Sequence, residues 1–165
     1  MNTARLWREY QGSIPEDHTV NPVIIATDAT HVTNFSGDGK MHPAYISSGQ
    51  INKAVRNKPS RNAFMMFALF PVCKFADTEF ETITQQKEMP GRLRMRVFHI
   101  CMRIALETIQ PAQYKSVEMI DPEGNVRWTR IFLGMIIADN LDKSLIATLN
   151  QNFCIQCMAE TNDLG

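Results

Sequence analysis

The pattern of apolar and polar positions predicts short strands in the first half of the chain, followed by a helix. A β-branched run at 23–27 follows Pro22 and predicts a buried strand that ends at Asp28. Further strands are predicted at His42–Ser48 and Ala63–Phe70. Because an apolar run without alternation is typical of a strand covered on both faces, we expect the third strand to be central in its sheet.

The second half of the chain predicts a helix, a hairpin, another strand and a short helix. Apolar residues recur at helical spacing from 91 to 111, on a face made of Leu93, Val97, Ile100, Cys101 and Ile104. Turn residues starting at Asp121 predict a hairpin, and a strand at 131–138 precedes Asn140 and Asp142, the expected helix caps. This order of elements indicates an α/β fold, with α+β as the alternative, built on a mixed sheet.

Length and composition indicate how the chain is divided and whether it is a membrane or secreted protein. The polar stretch 1–20 contains Gly12 and Pro15, so we expect a flexible, extended arm before a core at 21–165. The longest apolar run, at 63–72, is about half of what a membrane helix needs. The first residues lack the apolar centre of a secretory signal, so we expect a protein that is not secreted and has reduced thiols.

Charge gives no general affinity for nucleic acid. The chain has 17 Lys and Arg residues and 17 Asp and Glu residues, for a formal net charge of zero. Any binding of DNA must therefore depend on particular residues and not on overall charge.

The four cysteines fall into two groups. Cys73 and Cys101 lie in apolar patterns and are interpreted as small core residues. Cys154 and Cys157 have the spacing of one half of a tetrahedral zinc site, and no Cys or His follows them in the sequence. A zinc half-site, an ordinary pair of thiols and a redox pair remain open as interpretations.

Two acidic residues each come directly after a predicted buried strand. If those strands are parallel neighbours, Asp28 and Asp139 emerge at one edge of the sheet, and we expect their carboxylates within about 5 Å of each other. Such a pair suits Mg²⁺ together with a substrate phosphate, as in phosphodiester transfer. The pattern by itself favours a simpler interpretation, in which Asp ends a strand because turns favour it.

An ordered series of segments resembles the catalytic region of Plavaka-type transposases, which are fungal DNA transposon proteins of the wider CACTA group. The likeness covers roughly residues 20 to 165 in collinear order. The segments that carry it are Ile25-Ala-Thr-Asp-Ala-Thr-His, His42-Pro-Ala-Tyr-Ile-Ser-Ser-Gly-Gln, Val55-Arg-Asn-Lys-Pro-Ser-Arg, Val97-Phe-His-Ile-Cys-Met, Ser116-Val-Glu-Met-Ile-Asp-Pro-Glu-Gly, Ile137-Ala-Asp-Asn-Leu-Asp and Cys154-Ile-Gln-Cys.

The resemblance implies an RNase H-like core in which three acidic residues and Mg²⁺ or Mn²⁺ cut and rejoin DNA. Asp28 matches the first acid and Asp139 the second. DNA is the implied partner and the nucleus the implied location, with the cytoplasm as the alternative. Lys58 and Arg61 are the candidates for contact with DNA phosphates.

Other matched positions are less directly tied to cleavage. Cys154 and Cys157 match the first half of a metal-binding pair in the family. His99 and Cys101 match a family pattern to which we assign no chemical role, and we interpret them as helix packing positions.

The sequence also departs from the family pattern. Ala29 and Asn57 each stand where the family has a basic residue, and the family's third acid lies beyond the cysteine pair, whereas this sequence ends at Gly165. We therefore expect a partial RNase H-like core that is inactive as an isolated chain and exposes apolar strands. The alternative is a non-catalytic interaction domain, a homo-oligomer that shares zinc through Cys154 and Cys157.

Overall fold

The computed structural model describes residues 5–32, 39–75 and 77–149, so the predicted CxxC half-site at Cys154 and Cys157 lies outside the described residues. Two single turns of 3-10 helix occur at Pro59–Arg61 and Gln110–Gln113. The helices and strands are, in chain order, α1 (Arg5–Gly12), β1 (Thr19–Thr27), β2 (Thr30–His31), β3 (Lys40–Ser48), α2 (Lys53–Arg56), β4 (Met65–Phe70), α3 (Ile83–Leu106), β5 (Val117–Ile120), β6 (Val126–Ile137) and α4 (Asn140–Ile146).

The strands form one mixed sheet of six strands. Its order is β2-β3-β1-β6-β5, and β4 pairs with β3. Strand β1 runs parallel to β6, whereas β2 with β3 and β5 with β6 are antiparallel. The predicted mixed α/β fold with flanking helices and a hairpin is confirmed, while its RNase H-like character stays a prediction.

The described residues divide into two compact units. The first comprises residues 5–26, 45–67 and 105–137, and the second comprises the remaining described segments. In the first unit Ile14, Val20 and Phe132 form a buried apolar cluster.

The expected extended arm is wrong for residues 5–12, which form α1. Leu6, Trp7 and Tyr10 recur at helical spacing, and Arg5 pairs with Glu9 across one turn at 2.9 Å. The Tyr10 ring stacks on Phe132 with centroids 4.0 Å apart. Helix α1 therefore contacts a strand of its own unit through Tyr10, although none of its residues is buried.

The second unit is built around aromatic residues. Phe70 and Phe98 are 4% and 5% exposed, and Ala44 is fully buried. Helix α3 begins at Ile83, earlier than the predicted start at 91, and Pro90 lies inside it.

The predicted apolar face of α3 is partly wrong. Ile100 and Ile104 are 39% and 60% exposed, whereas Phe98 supplies the buried contact. Residues two positions apart on a helix point in very different directions, so choosing Ile100 instead of Phe98 rotates the predicted face away from the core.

The prediction that the apolar run at 63–70 forms a central strand is wrong. Strand β4 pairs with β3 and lies off the main path of the sheet. Met65, Met66 and Leu69 are 66%, 57% and 54% exposed to solvent in the described structure. Apolar composition identified the strand correctly, but it did not determine which neighbours cover it.

Strand β6 also exposes apolar residues at alternate positions. Leu133, Met135 and Ile137 are each more than two-fifths exposed. The pairing with β1 is irregular between Leu133 and Met135, which face the consecutive residues Val23 and Ile24, so simple alternation does not place all three on one face. The described residues nevertheless leave each of these apolar side chains partly uncovered. This agrees with the expectation of exposed apolar strands.

The predicted hairpin turn is confirmed and is organised by the carboxylate of Asp121. Its Oδ1 accepts hydrogen bonds from the backbone N–H groups of Glu123 and Asn125 at 3.1 and 2.8 Å. Its Oδ2 accepts from Arg127 Nε at 2.7 Å. Gly124 has a φ of 88°, a left-handed conformation that favours glycine.

Replacing Arg127 should raise the pKa of Asp121. The hydrogen bond from Arg127 is the main cause that holds this pKa at about 2, below the ordinary 3.8; burial opposes it and Asn125 supports it. Because the pKa is lowered by folding, the turn stabilises the fold above pH 3.8 and loses that contribution as the pH falls towards 2. An NMR titration of the carboxyl carbon should give a higher midpoint in Arg127→Gln. The control Lys115→Gln should titrate as the wild type, and an unchanged midpoint in Arg127→Gln would contradict this account.

A side chain at Gly134 should destabilise the pairing of β1 with β6. A Cβ at this position would lie 2.7 Å from Pro22 Cβ, so the two strands would have to move apart. We expect Gly134→Ala to lower the free energy of unfolding by about 1–3 kcal/mol in a urea titration. The control Gly91→Ala, whose Cβ would meet nothing within 4 Å, lies inside α3 and should raise it by about 0.5–1 kcal/mol. Equal effects of the two substitutions would rule out the close approach as the cause.

Candidate acidic site at the ends of β1 and β6

The two candidate acids follow strands that are hydrogen-bonded to each other. Strands β1 and β6 are parallel, and Ala26 is the partner of Ile137 in their register. Asp28 and Asp139 each come two residues after this matched pair. The condition set by the sequence analysis, that the two strands are parallel neighbours, is therefore met. The expected separation of about 5 Å between the carboxylates stays a prediction.

Asp139 also caps helix α4. Its Oδ1 accepts a hydrogen bond from the backbone N–H of Asp142 at 2.7 Å, and its own backbone is extended. The expectation that Asn140 or Asp142 caps this helix is wrong, because the chain is already helical at Asn140. The simpler interpretation, in which Asp follows a strand for a local structural reason, thus explains the hydrogen bond of one Asp139 oxygen. The other oxygen has no hydrogen bond to any described residue.

Asp28 is exposed at the end of β1. Its backbone carbonyl accepts a hydrogen bond from Thr30 Oγ1 at 3.4 Å. Within the described segments, no hydrogen bond or ion pair engages the Asp28 carboxylate, which leaves both its oxygens accessible to a cation or to water.

A buried polar pair that sequence reasoning missed lies beside this edge. His42 Nε2 donates to Asp142 Oδ2 at 3.0 Å, and the two side chains are only 9% and 7% exposed. His42 stacks on Phe98 and meets Phe70 edge-on, with centroid distances of 5.4 and 5.7 Å. The only sequence signal was a His within an apolar strand, since its partner lies 100 residues away.

The structure gives His99 a definite contact. Its Nε2 donates to the backbone carbonyl of Leu145 at 3.0 Å, near the end of α4. The interpretation of His99 as a helix packing position is confirmed. Cys101 and Cys73 are half-buried and are not joined in a disulfide.

A comparison with protein families decides the relationship of this chain. The family model described as Plavaka transposase matches residues 1–165. The chain belongs to the Plavaka transposase family. No curated protein and no solved structure gives a significant match. Membership indicates a transposase-like role and DNA as the partner.

The remaining residues proposed from the Plavaka pattern are basic. Lys58 precedes the 3-10 turn that ends at Arg61, and both are exposed in the first unit. The segment 39–75 contains several Lys and Arg residues and no acidic residue. A cleft of about 800 Å³ in the same unit is lined in part by Lys53 and Arg56. This local excess of positive charge suits a polyanion, although the whole chain is neutral.

The acidic pair is compatible with Mg²⁺ by its donor chemistry. Magnesium prefers oxygen ligands and is held in proteins by one or two carboxylates together with water and substrate phosphates. Asp28 would contribute a whole carboxylate, and Asp139 the oxygen that does not take part in the helix cap. Among the described residues, no group of three or more His, Cys, Asp or Glu side chains is arranged to hold a metal ion.

The described helices were compared with the requirements for spanning a membrane. None in residues 5–32, 39–75 or 77–149 combines the length and the apolar content needed to span a bilayer.

Removing the carboxylate of Asp139 should destabilise α4, and an amide should replace it in this role. We expect Asp139→Ala to lower the free energy of unfolding by about 1 kcal/mol, because the backbone N–H of Asp142 loses its acceptor. Asp139→Asn should change the free energy of unfolding by only about a few tenths of a kcal/mol, since Asn is an equally good cap. Urea unfolding of the two variants measures the difference. Equal losses would mean that the hydrogen bond contributes nothing to stability.

Proposed function

We propose that this Plavaka-family chain carries part of a metal-dependent centre for DNA phosphodiester cleavage and strand transfer, with Asp28 and Asp139 as two of its acidic ligands. The observation that carries the proposal is the parallel register of β1 and β6, in which Ala26 pairs with Ile137 two residues before both acids. Family membership over residues 1–165 supports the choice of DNA as substrate.

Each residue has a defined task in this proposal. Asp28, which is exposed and has both oxygens available, is the more open of the two ligands. Asp139 uses one oxygen as a helix cap and presents the other. A bound Mg²⁺ or Mn²⁺ would activate a water or a 3′-hydroxyl and stabilise the leaving oxygen. Lys58 and Arg61 would contact DNA phosphates, which position the substrate without reading its sequence.

The competing proposal is a non-catalytic interaction domain that shares zinc through Cys154 and Cys157. The two proposals differ in what they expect at the acidic pair. Only the first expects a hard divalent cation to bind there, so metal binding distinguishes them even where cleavage needs a further acid.

Neutralising either acid should weaken Mn²⁺ binding at this edge. We expect Mn²⁺ to broaden the NMR signals around Asp28 and Asp139 in the wild type, and the apparent affinity to fall at least about tenfold in Asp28→Asn or Asp139→Asn, because each removes a charged oxygen ligand. Asp139→Asn retains the helix cap, so its fold should be intact. Asp77→Asn removes an exposed carboxylate elsewhere and should bind Mn²⁺ as the wild type does.

The same variants test the DNA chemistry. Mn²⁺-dependent nicking of supercoiled plasmid, where present, should be lost in Asp28→Asn and retained in Asp77→Asn. Equal Mn²⁺ broadening in the wild type and Asp28→Asn would remove Asp28 from the site. Absence of broadening in the wild type would favour the interaction domain.

A further inference from the structure

The buried pair His42 and Asp142 is connected to Asp139 through the first turn of α4. The imidazole Nε2 of His42 lies 3.0 Å from Asp142 Oδ2. The backbone N–H of the same Asp142 donates to Asp139 Oδ1 at 2.7 Å. One residue therefore joins a side chain of β3 to the acid at the end of β6.

We propose that His42 is a positioning residue that fixes Asp142 and thereby the direction of the Asp139 carboxylate. The effect that this inference predicts on metal binding rests on the proposed function. Its geometric part, that His42 maintains the hydrogen bond between Asp142 and Asp139, does not depend on any activity.

Aromatic side chains restrict the movement of His42. Its ring lies nearly parallel to Phe98, with an interplanar angle of 24°, and nearly perpendicular to Phe70, at 82°. Phe70 and Phe98 also contact each other edge-to-face, with centroids 5.2 Å apart. The three rings thus contact one another in pairs, and an imidazole packed against both phenyl rings has little freedom to turn, so its N–H points in one direction. A hydrogen bond in such apolar surroundings is stronger than the same bond in water.

The cost of burying this pair favours a geometric role. Taking an acid and an imidazole out of water carries a desolvation penalty, and apolar residues of similar volume often give equal or greater stability. Packing alone would therefore be served as well by two apolar side chains. What the polar pair adds is a fixed direction for Asp142, and Asp142 is the residue whose backbone binds Asp139.

A second histidine holds the other end of the same helix. His99 in α3 donates to the carbonyl of Leu145, while His42 in β3 holds Asp142 near the start of α4. Asp142 and Leu145 are three residues apart, so the two histidines hold the seven-residue α4 at positions within one turn of each other. Two such contacts restrict the rotation of a short helix about its axis, which keeps its N-cap in one orientation.

The test uses hydrogen exchange at the Asp142 amide and Mn²⁺ affinity. In His42→Phe the aromatic packing remains but the donor is lost. We expect the protection of the Asp142 amide to fall at least about tenfold relative to the amides of Ile24 and Ile25 in β1. Mn²⁺ affinity should fall about 10- to 100-fold, the usual effect of removing a residue that orients a ligand. His42→Gln places an amide N–H near the lost donor and should recover most of both quantities.

The control makes the same exchange in the first unit. His18 binds Ser116 and stacks near Trp128, so His18→Phe alters a histidine contact without touching α4's hydrogen bonds. It should leave the Asp142 amide and the Mn²⁺ affinity unchanged. If His42→Phe does not fold, Asp142→Asn replaces it, because that variant weakens the same contact while keeping the backbone N–H.

The outcomes separate this inference from the proposed function. Unchanged relative protection of the Asp142 amide in folded His42→Phe would overturn the positioning role. Lower protection of the Asp142 amide in His42→Phe, found together with no Mn²⁺ binding by the wild type, would support the positioning of Asp139 and reject the proposed metal site. Loss of protection in every amide alike would show that His42 acts only on overall stability, which also overturns the inference.

Discussion

The parallel pairing of β1 with β6 is the contact on which the other features of the candidate site depend. It joins Thr19 to Thr129 at one end and Ala26 to Ile137 at the other. Parallel strands cannot be joined by a tight turn, and the connection between β1 and β6 contains β3, β4, α3 and β5. The absence of a side chain at Gly134, where a Cβ would lie 2.7 Å from Pro22 Cβ, allows the two strands to approach. A shift of this register would carry Asp139 away from Asp28.

The acidic edge combines structural and proposed chemical tasks in the same side chains. Asp139 satisfies a backbone N–H of α4 and still has a second oxygen for a cation. A carboxylate that is already oriented by a hydrogen bond loses less conformational freedom when it binds a ligand. Asp28 has no such support among the described residues, so the two acids differ in rigidity.

The local sequence patterns correctly predicted those elements whose structure depends on residues close to one another in the sequence. Strand β1, strand β3 and the hairpin turn at Asp121 were all predicted, because alternation and turn chemistry act over a few residues. The patterns failed for α1, whose apolar face depends on Phe132. They also failed for the position of β4, since an apolar run is compatible with an exposed strand as well as with a covered one.

The sequence by itself determined that two acids follow two strands, that a turn at Asp121 closes a hairpin, and that the chain belongs to one transposase family. The predicted second strand of the hairpin and the predicted strand at 131–138 are one continuous strand, β6. Only the tertiary structure decided that those strands are neighbours, that Asp139 rather than Asn140 or Asp142 caps α4, and that His42 binds Asp142. The physical reason is distance along the chain. His42 and Asp142 are separated by 100 residues, so their contact exists only after the sheet and α3 have assembled. No local periodicity or turn preference records such a contact.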